Sequence, residues 1–351
     1  MSRCTIVEKP QEYSQHINSI LKPSQNGSIT TLDLFAGAGG LALGFEAQGF
    51  KTVGFEKDAD CCVTYKNNLD SECHQIDLSP DYKFPEATVI IGGPPCQPFS
   101  VGGKQKGLGD SRDGFPTFIS AVKQATPKLF LFENVRGMMY RNKWYLEQII
   151  EEFQALGYII EYKMFNTVRY GVPQRRERLI VIGHKGGFNF PPPLGKKVTA
   201  GDALGEMAIT IPVDAKFLTP SMDEYVAKYE KASKCIRPRD LHLNEPSRTV
   251  TCRNLAGATG DMMRIRLPDG RRRRLAVREA ARLQSFPDWF EFEGSETSQF
   301  NQIGNAVPPL FSYYLAASIK EYLLSGENRM TFDEIKRYNR LNWQPKQLAL
   351  F

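Results

Sequence analysis

The chain has 351 residues, of which 41% are hydrophobic and 24% are charged, so its composition predicts a globular protein and excludes a disordered one. No apolar run is long enough to span a bilayer, and no secretory signal is visible in residues 1–25. The seven cysteines form no CxxC pair and only four histidines occur, so we expect a reduced, cytoplasmic protein without a structural metal.

The positive charge is unevenly distributed along the chain. The net charge is +6, and residues 185–274 alone contain 17 Lys and Arg against 10 Asp and Glu. This concentrated surplus is compatible with a polyanionic partner, although an ordinary solvated surface would produce the same pattern.

The first half of the chain alternates strand and helix patterns. A strand at residues 29–35 runs into a glycine-rich turn at 36–40, and a helix is predicted at 41–48. The next strand, at 51–55, ends at Glu56, where an acidic residue suits the hydroxyls of a ribose. Because the turn lacks the G-x-G-x-x-G spacing, the sequence favours a small nucleoside ligand without a pyrophosphate.

A glycine- and proline-rich loop follows the apolar strand at residues 87–91. This loop brings Cys96 to the carboxyl end of a predicted parallel strand, where ligands bind in open α/β sheets. Residues 101–114 contain five glycines among charged residues, so the loop is suited to close over a ligand. Taken alone, Cys96 could equally be a buried, inert thiol.

Two later strands have charged residues at their ends. Residues 129–132 form an apolar strand followed by Glu133, a carboxylate that is costly at that place unless it is paired or used. Residues 174–178 contain three arginines and precede the apolar strand at 179–183. Such arginines can hold an oxyanion or a phosphate, although clusters at strand starts are often plain surface.

Six blocks occur in an order that resembles the signature series of the DNA (cytosine-5) methyltransferases. Any one block could arise by chance, whereas the ordered set is very specific. The matched part spans residues 32 to about 319. The blocks are 35–40 (FAGAGG), 93–100 (GPPCQPFS), 133–135 (ENV), 174–178 (QRRER), 275–287 (LAVREAARLQSFP) and 302–309 (QIGNAVPP).

The resemblance implies a two-domain α/β architecture. The expected fold is a Rossmann-like sheet of an S-adenosylmethionine-dependent methyltransferase, with a smaller, mostly irregular and β target-recognition domain inserted. The catalytic domain would comprise residues 1–184 and 299–326, and the small domain residues 185–298, with target recognition at about 185–274. Residues 327–351 would form a C-terminal tail.

The resemblance also implies a covalent mechanism on cytosine. C5 of cytosine is a poor nucleophile until a thiolate adds to C6. Cys96 would be that nucleophile, with its pKa lowered by nearby arginines and helix-end dipoles. Glu133 would hydrogen-bond N3 and the exocyclic amine, and Arg178 and Arg176 would hold O2 and the phosphate of a flipped nucleotide.

S-adenosylmethionine is the methyl donor that the resemblance implies. Phe35 would lie against the adenine, Glu56 would bind the ribose hydroxyls and Asp77 the adenine amine. Since Asn305 belongs to the last block, the final helix would return to complete the first domain. The predicted cofactor contacts are Phe35, Gly37, Gly39, Gly40, Glu56, Lys57, Asp77, Leu78, Pro95, Asn305 and Ala306.

Double-stranded DNA is the expected partner of residues 185–274. Few long apolar runs occur there, so short strands and loops are predicted, with a hairpin at 260–270. The stretch 248–253 resembles a recognition loop of the family, and the arginines at 271–274 would face phosphates. The predicted DNA contacts are Gln97, Ser100, Arg248, Thr249, Arg253, Arg271, Arg272, Arg273 and Arg274.

Other functions remain open from the sequence. A tRNA cytosine-C5 methyltransferase would share the same blocks, and a silent DNA-binding relative would share the fold, although intact Cys96, Glu133 and Arg178 argue against silence. A nicotinamide oxidoreductase is disfavoured because the pyrophosphate fingerprint is missing. We expect a monomer of the bacterial restriction-modification type, which suggests a paired restriction endonuclease.

Overall fold

A computed structural model describes residues 10–24, 26–96, 113–195, 197–232, 234, 239–257, 260–326 and 329–342. The strands are β1 Thr30–Leu34, β2 Lys51–Glu56, β3 Cys73–Gln75, β4 Val89–Gly92, β5 Leu129–Val135, β6 Ile159–Asn166, β7 Glu177–His184, β8 Arg264–Arg266 and β9 Arg272–Arg274. The helices are α1 Pro10–Ile20, α2 Gly40–Glu46, α3 Ala59–Asn68, α4 Phe115–Ala125, α5 Lys143–Ala155, α6 Ala200–Leu204, α7 Pro220–Ala232, α8 Cys252–Ala256, α9 Val277–Leu283, α10 Glu296–Asn305, α11 Pro309–Leu324 and α12 Phe332–Asn342.

Seven strands form one sheet in the order β3-β2-β1-β4-β5-β7-β6. Strands β1 to β5 pair in parallel, whereas β7 runs antiparallel to both β5 and β6. The strand order reverses between β1 and β4, and such a reversal marks the ligand crevice of open α/β sheets. The predicted Rossmann-like α/β sheet is therefore confirmed.

The central strands are apolar on both faces because helices cover both faces. In β5, Leu129 and Leu131 belong to one hydrophobic core, and Phe130 and Phe132 belong to the other. The first core includes side chains of α2 and α11, and the second includes side chains of α4 and α5. This covering leaves the carboxyl edge of the parallel strands for the site.

Helix α11 packs directly against α2. A Cβ atom on Gly44 would lie 2.3 Å from the backbone nitrogen of Tyr313, so only glycine allows the two helices to approach so closely. The end of the chain therefore completes the cover over the first strand and helix.

Residues 185–298 contain more helix than the sequence indicated. Helix α7 has 13 residues, where short strands and loops were expected. The hairpin predicted at 260–270 lies at 264–274, where β8 pairs with β9, so that Arg272–Arg274 form its second strand. One hydrophobic core also joins Ala200 and Val250 of this segment to the cover of the sheet. The domain boundaries stay a prediction.

Helix α12 lies beside the end of α5 and the start of β6. Ile335 is buried there, and the amide of Asn339 donates to the carbonyl of Tyr158 at 2.9 Å. Among the helices in the described ranges, none combines the length and the apolar character that crossing a membrane would require.

Candidate active site

A cleft of about 600 Å³ opens beside the carboxyl ends of β4 and β5. Cys96, which follows β4, and Arg178, at the start of β7, both line it. Because β7 is antiparallel to β5, its first residues lie beside the last residues of β5, and Arg178 pairs with Val135 in the ladder. The lining residues are Cys96, Val135, Arg136, Gly137, Met138, Arg141, Asn142, Asn166, Arg175, Glu177, Arg178 and Thr249.

Glu133 and Arg178 form an ion pair at this edge. The Arg178 Nε lies 2.6 Å from the Glu133 Oε1, and the two side chains are only 13% and 12% exposed. The other carboxylate oxygen of Glu133 lies 3.7 Å from the position that a Cβ on Gly93 would occupy, close to the loop that leads to Cys96. The fold thus brings together Cys96, Glu133 and Arg178, three of the four side chains predicted to be catalytic.

The loop before Cys96 is fixed by its neighbours. The Asn134 amide donates to the carbonyl of Pro94 at 3.0 Å. Cys96 forms an isolated β-bridge with Asp113, whose carboxylate accepts a hydrogen bond from the Tyr145 hydroxyl. The sequence alone indicates no role for Asn134, Asp113 or Tyr145. Asn134 has a usable signal, since it lies within the ENV block.

The Cys96 thiol is harder to ionise than the sequence predicts. Burial and the nearby Asp113 carboxylate raise the pKa of Cys96 to about 12. The expected lowering by arginines is wrong for this structure, because Arg178 is already neutralised by Glu133. Both causes favour the protonated thiol over the thiolate.

Arg176 is a structural residue and does not reach the cleft. It is 1% exposed, and its guanidinium donates to the carbonyls of Val250 at 2.8 Å and Gly304 at 3.2 Å. Burial lowers the pKa of Arg176, with a smaller contribution from neighbouring Arg178. The predicted contact between Arg176 and the target nucleotide is contradicted by this burial. Its role here is to join the segment around Val250 to the end of α10.

Two buried glutamines extend this connection. The side-chain oxygen of Gln174 accepts from the backbone nitrogen of Val250 at 2.8 Å, and its amide donates to the Gln284 side chain at 2.7 Å. Gln284 in turn donates to the carbonyl of Ile303 at 2.6 Å. The QRRER block therefore joins the stretch 247–252 to α10, in addition to presenting Arg178.

A second group of predicted residues surrounds the ends of β1 and β2. The Glu56 carboxylate accepts from the backbone nitrogens of Gly37 at 2.8 Å, Lys57 at 2.9 Å and Asp58 at 3.0 Å. Gly37 has φ +54°, and a Cβ there would meet no atom within 4 Å, so open space adjoins this turn. Phe35 lies nearby, with its ring 3.0 Å from the Cβ position of Gly114.

The other predicted cofactor residues differ in their surroundings. A Cβ on Gly40 would lie 3.2 Å from that of Ala306 and 2.6 Å from the Val307 carbonyl, and Gly39 packs against Tyr65. Asn305 accepts from the Cys252 thiol at 3.2 Å, so it contacts the 247–252 stretch. At the same sheet edge, Lys57 and Asp77 are exposed, and Leu78 and Pro95 are half-buried.

The predicted DNA contacts near the cleft differ in their surroundings: one lines the cleft, two are paired with a carboxylate, and two lie outside the described residues. Gln97 and Ser100 lie outside the described residues. Thr249 lines the cleft and donates to the Arg175 carbonyl at 2.7 Å. Arg248 is paired with Asp261 at 3.1 Å, and Arg253, 80% exposed, lies 3.4 Å from the same carboxylate.

The four consecutive arginines do not form a common phosphate-binding surface. Side chains alternate between the two faces of a strand, so Arg273 is fully buried, where it pairs with Glu279 at 2.7 Å. Arg272 is 13% exposed and pairs with Asp223. The predicted phosphate contacts are contradicted for both. Arg271 is exposed but paired with Asp269, and Arg274 donates to the sulfur of Met262.

Comparison with known proteins gives a consistent result. The family model described as C-5 cytosine-specific DNA methylase matches residues 29–321. The Type II methyltransferase M.AplI of Arthrospira platensis is 54% identical over 326 residues, covering 91% of this chain and 94% of the relative. M.NgoFVII of Neisseria gonorrhoeae, also a Type II methyltransferase, is 34% identical over 87% of this chain and 90% of its own.

Solved structures show the same fold at lower identity. The structure of Spodoptera frugiperda DNMT2 superposes with a TM-score of 0.64 over 84% of this chain and all of that chain, at 19% identity. The likeness at this identity concerns the fold.

Proposed function

The chain belongs to the C-5 cytosine-specific DNA methylases, and from this premise we propose that it transfers a methyl group from S-adenosylmethionine to C5 of one cytosine in a short, specific duplex DNA sequence. One observation carries the proposal. Cys96 and Arg178 line a single cleft, and Arg178 is ion-paired with Glu133 next to the loop that bears Cys96.

Cys96 acts as the nucleophile. Its thiol releases its proton to the solvent as the sulfur adds to C6 of the cytosine. The S–C6 bond forms, the C5=C6 π bond breaks and C5 becomes nucleophilic. After C5 has received the methyl group, a base takes the C5 proton and the S–C6 bond breaks. The aromatic ring and the free thiolate are thereby restored.

Glu133 and Arg178 hold the ring during this addition. Glu133 accepts a hydrogen bond from the exocyclic amine, takes up a proton from the solvent and delivers it to N3 as negative charge develops there, and it recovers this proton when the ring is restored. Arg178 binds O2. Their ion pair holds both side chains in place before the base enters. Less conformational entropy is therefore lost when the base binds.

The residues at the ends of β1 and β2 fit the nucleoside part of S-adenosylmethionine. When bound, this cofactor supplies an electrophilic methyl group on a sulfonium. Each Glu56 carboxylate oxygen has more than one acceptor site, so the ribose hydroxyls can bind beside the backbone amides that orient it. Phe35 would pack against the adenine, Asp77 would bind its amine, and the open space beside Gly37 would admit the methionine part.

The target cytosine must leave the duplex to reach Cys96. C6 is stacked within DNA, and extruding the base costs about a few kcal/mol. The cleft of about 600 Å³ suits a single nucleotide and not a duplex. The relatives are named Type II methyltransferases, which supports a role beside a restriction endonuclease of the same specificity.

Bisulfite sequencing of a plasmid treated with the protein and S-adenosylmethionine tests this proposal. The expected result is protection of one cytosine within a recurrent short sequence, with no methyl transfer to tRNA in a parallel assay. Cys96→Ser should abolish protection, whereas Cys61→Ser, which changes a thiol on α3, should retain it. Transfer to tRNA without transfer to the plasmid would contradict the proposal.

A further inference from the structure

Four arginines line the active-site cleft, and three of them are neutralised by carboxylates. The fourth, Arg141, is exposed and has no carboxylate within ion-pair distance among the residues that the structure describes. The paired arginines are Arg136 with Glu177 at 2.7 Å, Arg175 with Glu245 at 2.6 Å and Arg178 with Glu133 at 2.6 Å.

Residues 136–142 connect β5 to α5 in a tight turn, which we call the hook. The carbonyl of Gly137 accepts from the backbone nitrogens of Tyr140 at 3.2 Å, Arg141 at 3.1 Å and Asn142 at 3.4 Å. Met138 is fully buried and anchors the hook to the core. Arg141 therefore starts from a fixed backbone position at the cleft.

Apolar side chains next to Arg141 are also exposed. Tyr140 is 62% exposed and Val135 is 50% exposed. The guanidinium carbon of Arg136 lies 5.1 Å from the centre of the Tyr140 ring. Arginines interleaved with exposed aromatic and apolar groups are typical of surfaces that contact the backbone and sugars of nucleic acids.

The hook and Thr249 both contribute to the cleft lining. Residues 135–138, 141 and 142 come from the end of β5 and its connection to α5, whereas Thr249 comes from the predicted recognition loop. Because the cleft suits one nucleotide, the rest of a duplex must lie across its rim. B-DNA carries one negative charge per about 1.7 Å of its axis, so a rim cation without a carboxylate partner meets phosphates.

We propose that Arg141 binds a backbone phosphate of the duplex next to the extruded nucleotide, with Tyr140 packed against the adjoining sugar. This assignment rests on the proposed function, because it requires a duplex above the cleft. It relocates a phosphate contact from the 272–273 arginines, whose charges are used within the protein, to the β5–α5 connection.

The salt dependence of DNA binding tests this proposal on the full chain. The probe is a short duplex with the site identified by bisulfite sequencing, bound in the presence of S-adenosylhomocysteine at increasing NaCl. Arg141→Ala should weaken binding severalfold at low salt and make the slope of log affinity against log salt shallower by about 0.9. Arg141→Lys should keep the slope, since it keeps the charge.

Two comparisons make the result specific. Arg340→Ala removes an exposed arginine on α12, beside the other end of α5, and should leave affinity and slope unchanged. Arg141→Ala should weaken an unrelated duplex by the same factor, because phosphate contacts carry no sequence information. Circular dichroism of each variant checks that the fold is intact.

The outcomes separate this proposal from the function on which it rests. An unchanged slope for Arg141→Ala, an equal effect of Arg340→Ala, or relaxed sequence choice at constant slope would overturn the phosphate contact while leaving DNA methylation untouched. Failure of the wild-type protein to methylate plasmid DNA would instead overturn the proposed function.

Discussion

At the scale of single residues, the surroundings of Cys96 favour its protonated thiol over the thiolate. Burial is the larger cause of the raised pKa of Cys96, and the Asp113 carboxylate adds to it. The Glu133–Arg178 pair neutralises the arginine that could have favoured the thiolate. Since the thiolate is the reactive form, reaction of Cys96 with an electrophile should accelerate as pH rises towards 12.

Asp113→Asn should shift this pH dependence to lower values. Removing the negative charge beside the sulfur lowers the pKa of Cys96. At any pH well below this pKa, each unit by which the pKa falls raises the thiolate fraction about tenfold. The measurement is the rate of Cys96 alkylation by iodoacetamide against pH, followed by peptide mass spectrometry. Asp81→Asn, which changes an exposed carboxylate, is the matched control. Identical profiles in all three proteins would mean that Asp113 has no influence on the thiol.

At the scale of elements, strand β9 explains why a run of four arginines is not one surface. Arg273 points into the core, where Glu279 and the carbonyls of Met207 and Thr210 accept its hydrogen bonds. Glu279 also accepts from the backbone nitrogen of Ala276 at the start of α9. The pair thus fixes β9 against α9.

Arg273→Met should destabilise the fold much more than Arg271→Met. Removing Arg273 leaves the buried Glu279 carboxylate without its partner, which typically costs about 3–5 kcal/mol. Arg271 is 56% exposed, so its ion pair with Asp269 contributes little. Urea unfolding measures both variants, and equal midpoints would refute the assignment of Arg273 as a buried structural residue.

The sequence predicted the parts of this protein that local pattern determines. The apolar strands revealed the sheet, and the ordered blocks identified Glu133 and Arg178, which β5 and β7 bring together. The burial of Arg273 could not be predicted, because strand alternation is hidden in a run of identical residues. The contact between Asp113 and Tyr145 could not be foreseen, since these residues are 32 positions apart and meet only in the fold.

At the scale of the whole molecule, residues 306–324 pack against the first strand–helix unit of the sheet domain. Helix α11 lies on α2, which follows the glycine-rich turn, and Ala306 and Val307 lie against Gly40. The last block of the sequence therefore supports the backbone that borders the predicted cofactor site.

Gly44→Ala should disrupt this closure. Its new Cβ would lie 2.3 Å from the backbone nitrogen of Tyr313 and 2.5 Å from the backbone carbonyl carbon of Ser312, and backbone atoms cannot easily move away. Such overpacking typically costs about 1–3 kcal/mol of stability. This cost should exceed the roughly 1 kcal/mol that alanine gains over glycine in helix propensity. Gly195→Ala adds a Cβ that meets no atom within 4 Å and should leave stability nearly unchanged. Thermal unfolding of both variants decides, and an equally stable Gly44→Ala protein would contradict the close packing of α2 and α11.

The most direct test of the central claim is covalent trapping with 5-fluorocytosine at the target position of a duplex. A base can remove a proton from C5 but not a fluorine, so elimination is blocked. The reaction with S-adenosylmethionine should therefore stop with the S–C6 bond in place. We predict a protein–DNA adduct that resists SDS, whose peptide map assigns the link to Cys96, and no adduct with Cys96→Ser. Normal methylation of the unmodified duplex without any such adduct, or a link at another residue, would contradict the account.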